Sequence, residues 1–242
     1  MTVAFLWFQL AGTAVVILVA SKFLAKSADI VSEKTGLGKA FVGVVMLATA
    51  TSLPELGTGV SAIVLVDEPD LAAGDALGSN IVNLLLIGLL DLFWRKGPIL
   101  DAVSPTSLLV AALGIMITSM AALSLFIHTT SSIIPNWSIS PMSVFLFLLF
   151  VCAMFLTYQH DAVQSRGAKN TLETSKYTGE SLLKSISTYA VSAIIIIVAA
   201  IFLSSTGEKL AGSMGWETSF VGTQFLSIAT TLPEIATSFA AI

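Results

Sequence analysis

Residues 41–63 read FVGVVMLATATSLPELGTGVSAI, and residues 220–242 read FVGTQFLSIATTLPEIATSFAAI. The stretches lie 179 residues apart, and 12 of their 23 aligned positions are identical. The identities include polar and structure-breaking residues in register: Thr51 with Thr230, Pro54 with Pro233, Glu55 with Glu234. Shared hydrophobicity alone does not reproduce such a pattern, so the chain carries an internal repeat. Upstream, Phe23-Leu24 matches Phe202-Leu203 and Gly36 matches Gly215 at the same offset.

The surroundings of both copies are apolar. Of 242 residues, 55% are hydrophobic and 11% charged, with a mean hydropathy of +0.93. Soluble domains carry roughly 25% charged residues. Such a chain cannot cover itself with polar surface, and a bilayer is its expected solvent. Seven segments have the length and apolarity of spans, over 3–21, 40–66, 71–93, 105–127, 141–158, 187–204 and 219–242. The N-terminus lacks a basic region ahead of its apolar run, so it reads as a retained first helix rather than a cleaved signal.

Basic residues collect on the cytoplasmic side of membrane proteins. Lys22, Lys26, Lys34 and Lys39 follow the first span, Arg95 and Lys96 the third, and Arg166, Lys169, Lys176 and Lys184 the fifth. The three alternate loops hold only Lys209. This alternation predicts an external N-terminus. It also predicts that the second and seventh spans, which carry the two copies, cross in opposite directions. Inverted repeats with a site at their interface are a common plan of secondary transporters. The fold class is therefore all-α: a polytopic membrane protein built on inverted repeats. Residues 1–160 form the first repeat, with its motif at 41–83. Residues 161–186 form a polar cytoplasmic linker, and 187–242 begin the second repeat, with its motif at 220–242.

Glu55 and Glu234 fall within spans that contain no Lys or Arg. An intramembrane carboxylate faces a cavity or a partner rather than lipid. Pro54 and Pro233 precede them and free the carbonyls of Ala50 and Ala229 from helical bonding. Thr51 and Thr230 stand four residues before the glutamates, on the same helical face. Carboxylate, hydroxyl and carbonyl oxygens suit hard cations such as Ca²⁺. In the third span, Ser79 and Asn83 share a face and extend this set, while Gly74 and Gly78 form a Gly-x-x-x-Gly spacing that permits close helix approach. Asp75 reads as interfacial, at the outer end of its span. The Asp67, Glu68 and Asp70 cluster reads as a solvated outer loop. Cys152 reads as a packing residue, and His128 and His160 as interfacial. No Walker-type glycine loop, nucleophile–histidine pair or basic patch beyond the cytoplasmic loops is present, which argues against an enzyme or a nucleic-acid binder.

The segments ATATSLPE at 48–55, GDALGSNIVN at 74–83 and SIATTLPE at 227–234 resemble the sodium/calcium exchanger family, within the wider cation/calcium antiporters. The resemblance implies ten helices in two inverted five-helix halves, exchanging Ca²⁺ for Na⁺ by alternating access. It implies that Glu55 and Glu234 are the central carboxylates, with oxygens from Thr51, Thr230 and the backbone at Ala48 and Ser227. Ser52, Thr231, Ser79 and Asn83 complete the implied set. No cofactor is implied beyond the transported Ca²⁺ and Na⁺, and a monomer in the bilayer is expected. Ala50 stands where the family commonly has glycine, and Thr231 where it has serine. The family's counterpart of residues 74–83 is expected near 253–262, past Ile242, so the sequence reads as seven of ten spans of a longer exchanger. The alternatives are a H⁺-coupled cation exchanger on the same carboxylates, a cation channel, or an inert half-protein.

Overall fold

The structure is a computed structural model. It describes residues 2–35, 39–94, 97–98, 101, 103, 105–130, 140–167 and 179–240, with 39–48, 105–106, 128–130, 161–167 and 240 as backbone alone. The protein is an all-α, multi-pass membrane protein. Its helices are α1 (Val3–Thr35), α2 (Lys39–Val64), α3 (Pro69–Phe93), α4 (Pro105–Thr130), α5 (Pro141–Gly167), α6 (Leu182–Met214), α7 (Thr218–Val221) and α8 (Ser227–Ala240). A π-helical segment, Gly222–Leu226, joins α7 to α8 without a break. Only closed hydrogen bonding within each element is stable in hydrocarbon, which helices provide.

Among the described residues helices occupy all seven predicted positions, but three run well beyond the predicted bounds, one of them α5, expected over 141–158 and extending over Pro141–Gly167. The first predicted span, 3–21, is the front of a 33-residue helix, and 187–204 is the middle of another of 33 residues. Thirty-three residues make a helix of about 50 Å, against a hydrocarbon core of about 30 Å. Lys22, Lys26 and Lys34 therefore lie on α1 itself and not in a loop. Among the described residues, Val3–Thr35, Pro69–Phe93, Ser107–Ile127, Pro141–His160 and Leu182–Met214 are long and apolar enough to cross a membrane.

Helix ends follow local chemistry. Proline opens α3, α4 and α5, where its missing N–H has no helical partner to lose. Asp67 turns the chain between α2 and α3 with φ 59°. Gly215, at φ 67°, closes α6 in the left-handed conformation that a side chain disfavours, and both it and Trp216 donate to the Ala211 carbonyl.

The described residues pack as two units, Met1–Gly97 with Thr174–Ile242, and Pro98–Glu173. The second contains α4 packed on α5. Cys152 on α5 is exposed rather than packed, because α5 buries little of its surface within this unit.

In the first unit, α1 and α6 pack along each other at the centre. They start and end at positions related by the repeat offset, Val3 with Leu182 and Thr35 with Met214, and α2 and α7 start at Lys39 and Thr218. Burial follows the same register. Ile17 and Ile196 are fully buried, as are Leu24 and Leu203, and Ala20 matches Ala199. The repeat thus extends through α1 and α6, where sequence identity is faint. Small residues such as Ala199, Ala200 and Gly207 on α6 bring its neighbours close: a Cβ on Gly207 would meet Leu226 at 2.7 Å, and one on Gly57 would meet Ala200 at 2.7 Å.

Candidate cation site

The site lies where α2, α3 and α8 meet. The Gly74–Gly78 spacing does what the sequence predicts. A Cβ on Gly78 would lie 2.6 Å from the Thr223 carbonyl oxygen and 2.9 Å from Ser227 Cβ, and one on Gly74 would strike the Ser219 carbonyl. Gly222, on the π segment, answers from the other side, its missing Cβ leaving room for the Leu71 carbonyl and the Asp75 amide. Backbone therefore meets backbone, and the polar side chains of α3 reach α8 directly.

Both glutamates are half-buried, and each has one buried oxygen, Oε2, without a hydrogen-bond partner among the described residues. They stand close enough to interact electrostatically. The Thr230 hydroxyl lies against the Glu55 carboxylate, and the Thr51 hydroxyl against that of Glu234. Each copy's threonine thus serves the other copy's glutamate. Reciprocal exchange of partners is the mark of a two-fold relation. Pro54 and Pro233 sit inside their helices, and Ala50 and Ala229 are buried beside them.

The other predicted residues divide. Thr230 is fully buried, its hydroxyl 3.5 Å from that of Ser79 and donating to the Ser227 carbonyl at 3.2 Å. Ser227 is buried, and its own hydroxyl donates to the Thr223 carbonyl. Thr231 is fully buried, and its hydroxyl has no partner among the described residues. Asn83 is half-buried one turn beyond Ser79, whereas Ser52 is exposed. Ala48 is placed as helical backbone in α2, and its surroundings lie outside the described residues. A cleft of about 430 Å³ lined by Ser21, Lys22, Thr51, Pro233 and Thr237 opens beside the Thr51 edge. Among the described residues, no group of three or more His, Cys, Asp or Glu gathers as a metal cluster. Two carboxylates and a set of hydroxyl and carbonyl oxygens remain as the possible donors.

Asp75 corrects the sequence reading. It is not interfacial: it is 1% exposed, accepting at Oδ2 from Thr58 and at Oδ1 from Thr230 at 3.2 Å. Its neighbour along the strip, Thr58, also bonds the Pro54 and Glu55 carbonyls, and the Thr58 carbonyl accepts from Ser204 on α6. The signal was present in the sequence. Asp75 lies four residues before Ser79, on the same helical face. Glu68 is also more than a solvated loop residue, since it accepts from Thr218 at the start of α7 at 3.1 Å.

The sodium/calcium exchanger protein family matches residues 5–159 and 184–242, most of the chain. The chain belongs to the sodium/calcium exchanger family. Among relatives of this exchanger-family chain, the inner membrane protein YrbG of Escherichia coli (strain K12) is 27% identical over 232 residues, covering 90% of this chain and 65% of the relative. The putative antiporter CaxA of Alkalimonas amylolytica is 37% identical over 71 residues, 29% of this chain and 22% of the relative. The sodium/calcium exchanger MaX1 of Methanosarcina acetivorans is 33% identical over 67 residues, 28% of this chain and 19% of the relative. The chain spans less than two thirds of the length of each.

Proposed function

We propose that this chain belongs to a secondary active cation antiporter, a carrier and not an enzyme, that exchanges Ca²⁺ for Na⁺ by alternating access. The observation that carries this reading is the crossed pairing of Thr51 with Glu234 and Thr230 with Glu55, with one buried oxygen on each glutamate left without a partner among the described residues. A buried carboxylate oxygen without a donor is expensive, and a bound cation removes that expense. Two carboxylates match the charge of one divalent ion. The Thr51, Thr230, Thr231, Ser52 and Ser79 hydroxyls, the amide of Asn83, and the Ala48 and Ser227 carbonyls supply further hard oxygens.

Alternating access fits the two-fold relation. A site shared by two copies of opposite direction can open by the same movement toward either face. Family membership, with the antiporter CaxA and the exchanger MaX1 among the relatives, supports cation antiport in general. Coupling to sodium is the finer part of the proposal, and it rests on the resemblance of the TSLPE segment at 51–55 to the sodium-coupled branch of the family.

The test is uptake of radiolabelled Ca²⁺ into proteoliposomes holding the native-length protein. Uptake should follow an outward Na⁺ gradient and vanish in Glu55→Gln and Glu234→Gln. Uptake that ignores Na⁺ and follows a pH gradient would assign the same carboxylates to H⁺ coupling. Unitary currents would assign a channel.

A further inference from the structure

We propose that Asp75 is a positioning residue of the cation site, holding the hydrogen of the Thr230 hydroxyl away from the ion so that the oxygen is free to ligate it. The inference rests on the cation-site reading above and adds a residue to it.

A threonine hydroxyl has one hydrogen and two lone pairs. Around Thr230 Oγ1 stand three acceptors, Asp75 Oδ1 at 3.2 Å, the Ser227 carbonyl at 3.2 Å and the Glu55 carboxylate, and beyond them the Ser79 hydroxyl at 3.5 Å, which can accept or donate. The hydroxyl can satisfy one of them well. A hydrogen given to Glu55 occupies that carboxylate with a proton donor, and the Thr230 oxygen then presents hydrogen where an ion would sit. A hydrogen given to Asp75 leaves both the Glu55 oxygens and the Thr230 lone pairs for a cation.

Asp75 is built to be the acceptor. Its side chain is buried, so water does not compete for it, and its second oxygen is held by Thr58. Thr58 is itself fully buried, and its backbone carbonyl accepts from Ser204 on α6 at 3.0 Å. The carboxylate is therefore anchored from the first copy and reaches the ligand of the second. The close approach at Gly74 and Gly222, on either side of Asp75, sets this reach. Partners that orient a metal ligand through its hydrogen typically change metal affinity about 10- to 100-fold when removed.

The role makes an unusual demand: an acceptor is required at position 75, and a charge is not. In Asp75→Asn the amide oxygen can still accept from Thr230. The amide N–H₂ can donate to Thr58 Oγ1, whose hydrogen has the Pro54 carbonyl at 3.1 Å and the Glu55 carbonyl at 3.0 Å within reach. Asp75→Leu keeps the branched shape in a larger side chain and offers no acceptor.

The experiment titrates Ca²⁺ calorimetrically into the native-length protein in lipid nanodiscs, with melting in Ca²⁺-free buffer as the check on folding. Asp75→Leu should weaken Ca²⁺ binding about 10- to 100-fold, and Asp75→Asn should retain affinity within about threefold, as expected when the bonds are remade. In a Thr230→Val background, Asp75→Leu should add little, because the hydroxyl it orients is gone. Loss in Asp75→Asn equal to that in Asp75→Leu would overturn the inference and make Asp75 a charged ligand. Multiplying effects of Asp75→Leu and Thr230→Val would overturn it as well. Asp75→Asn decides the matter even where the leucine variant fails to fold. Absence of Ca²⁺ binding to the unaltered protein would instead remove the site reading itself.

Discussion

Thr231 shows what a single residue reveals about the site. Its side chain is fully buried and its hydroxyl has no hydrogen-bond partner among the described residues, although Thr230 beside it has several within reach. A buried polar group left unsatisfied costs about 1–3 kcal/mol. Valine has nearly the same shape without the hydroxyl. Thr231→Val should therefore leave the ion-free protein as stable or raise its melting temperature, while weakening Ca²⁺ and Na⁺ binding. Calorimetric titration beside a melting curve in ion-free buffer reads both quantities. A variant that melts higher and binds both ions unchanged would show that the Thr231 oxygen never meets a cation. The two glutamates belong to the same class, since each keeps one buried oxygen without a donor among the described residues. At Glu234 the amide of Gln would retain a partner for Thr51 but bring N–H donors toward the ion, so the loss of transport expected in Glu234→Gln should come without loss of folding.

Among the elements, the contact of α3 with the π segment and α8 decides whether these residues meet at all. With a Cβ at Gly78 facing the Thr223 carbonyl oxygen at 2.6 Å, the obstacle is backbone and cannot rotate aside. Gly78→Ala should destabilise the fold by about 1–3 kcal/mol, the range of overpacked contacts, and should separate Ser79 from Thr230. Gly88→Ala, on the same helix with open space around it, is the control and should be neutral or slightly stabilising. Unfolding midpoints in denaturant compare the two. This contact was legible in the sequence as a Gly-x-x-x-Gly spacing. The repeat was legible from its shared threonines and glutamates, but the sequence set each threonine beside the glutamate of its own copy, and the crossing of partners emerges only when the helices pack. The lengths of α1 and α6 were not legible either. Hydropathy marks the stretch that lipid can surround, whereas both helices run on through Lys22, Lys26 and Lys34 or through Glu208 and Lys209. Lys26 pairs with Glu180 at 3.5 Å and Lys34 donates to the Glu180 carbonyl, so the polar end of α1 is fastened to the chain just ahead of α6. Asp75 was misplaced for a related reason. A carboxylate near the end of an apolar run looks interfacial until the hydroxyls that cover it, Thr58 and Thr230, are brought in from other helices.

At the scale of the molecule, the repeat offset makes a prediction about sidedness that no single contact contains. Thr35 and Met214 close α1 and α6 at equivalent positions, and both are exposed. Copies related by translation would place the two on the same side of the membrane. Inverted copies place them on opposite sides, as the basic residues after the first, third and fifth spans require. The exchange of partners between Thr51–Glu234 and Thr230–Glu55 also demands a two-fold, which translation cannot supply. Cysteines introduced as Thr35→Cys and Met214→Cys, each in a Cys152→Ser background because Cys152 is exposed, should react differently with a membrane-impermeant maleimide on intact cells. The Met214 position should label from outside, and the Thr35 position only after permeabilisation. Labelling of both from one face would remove the inversion, and with it the mechanical reason for a shared site to open alternately to either side.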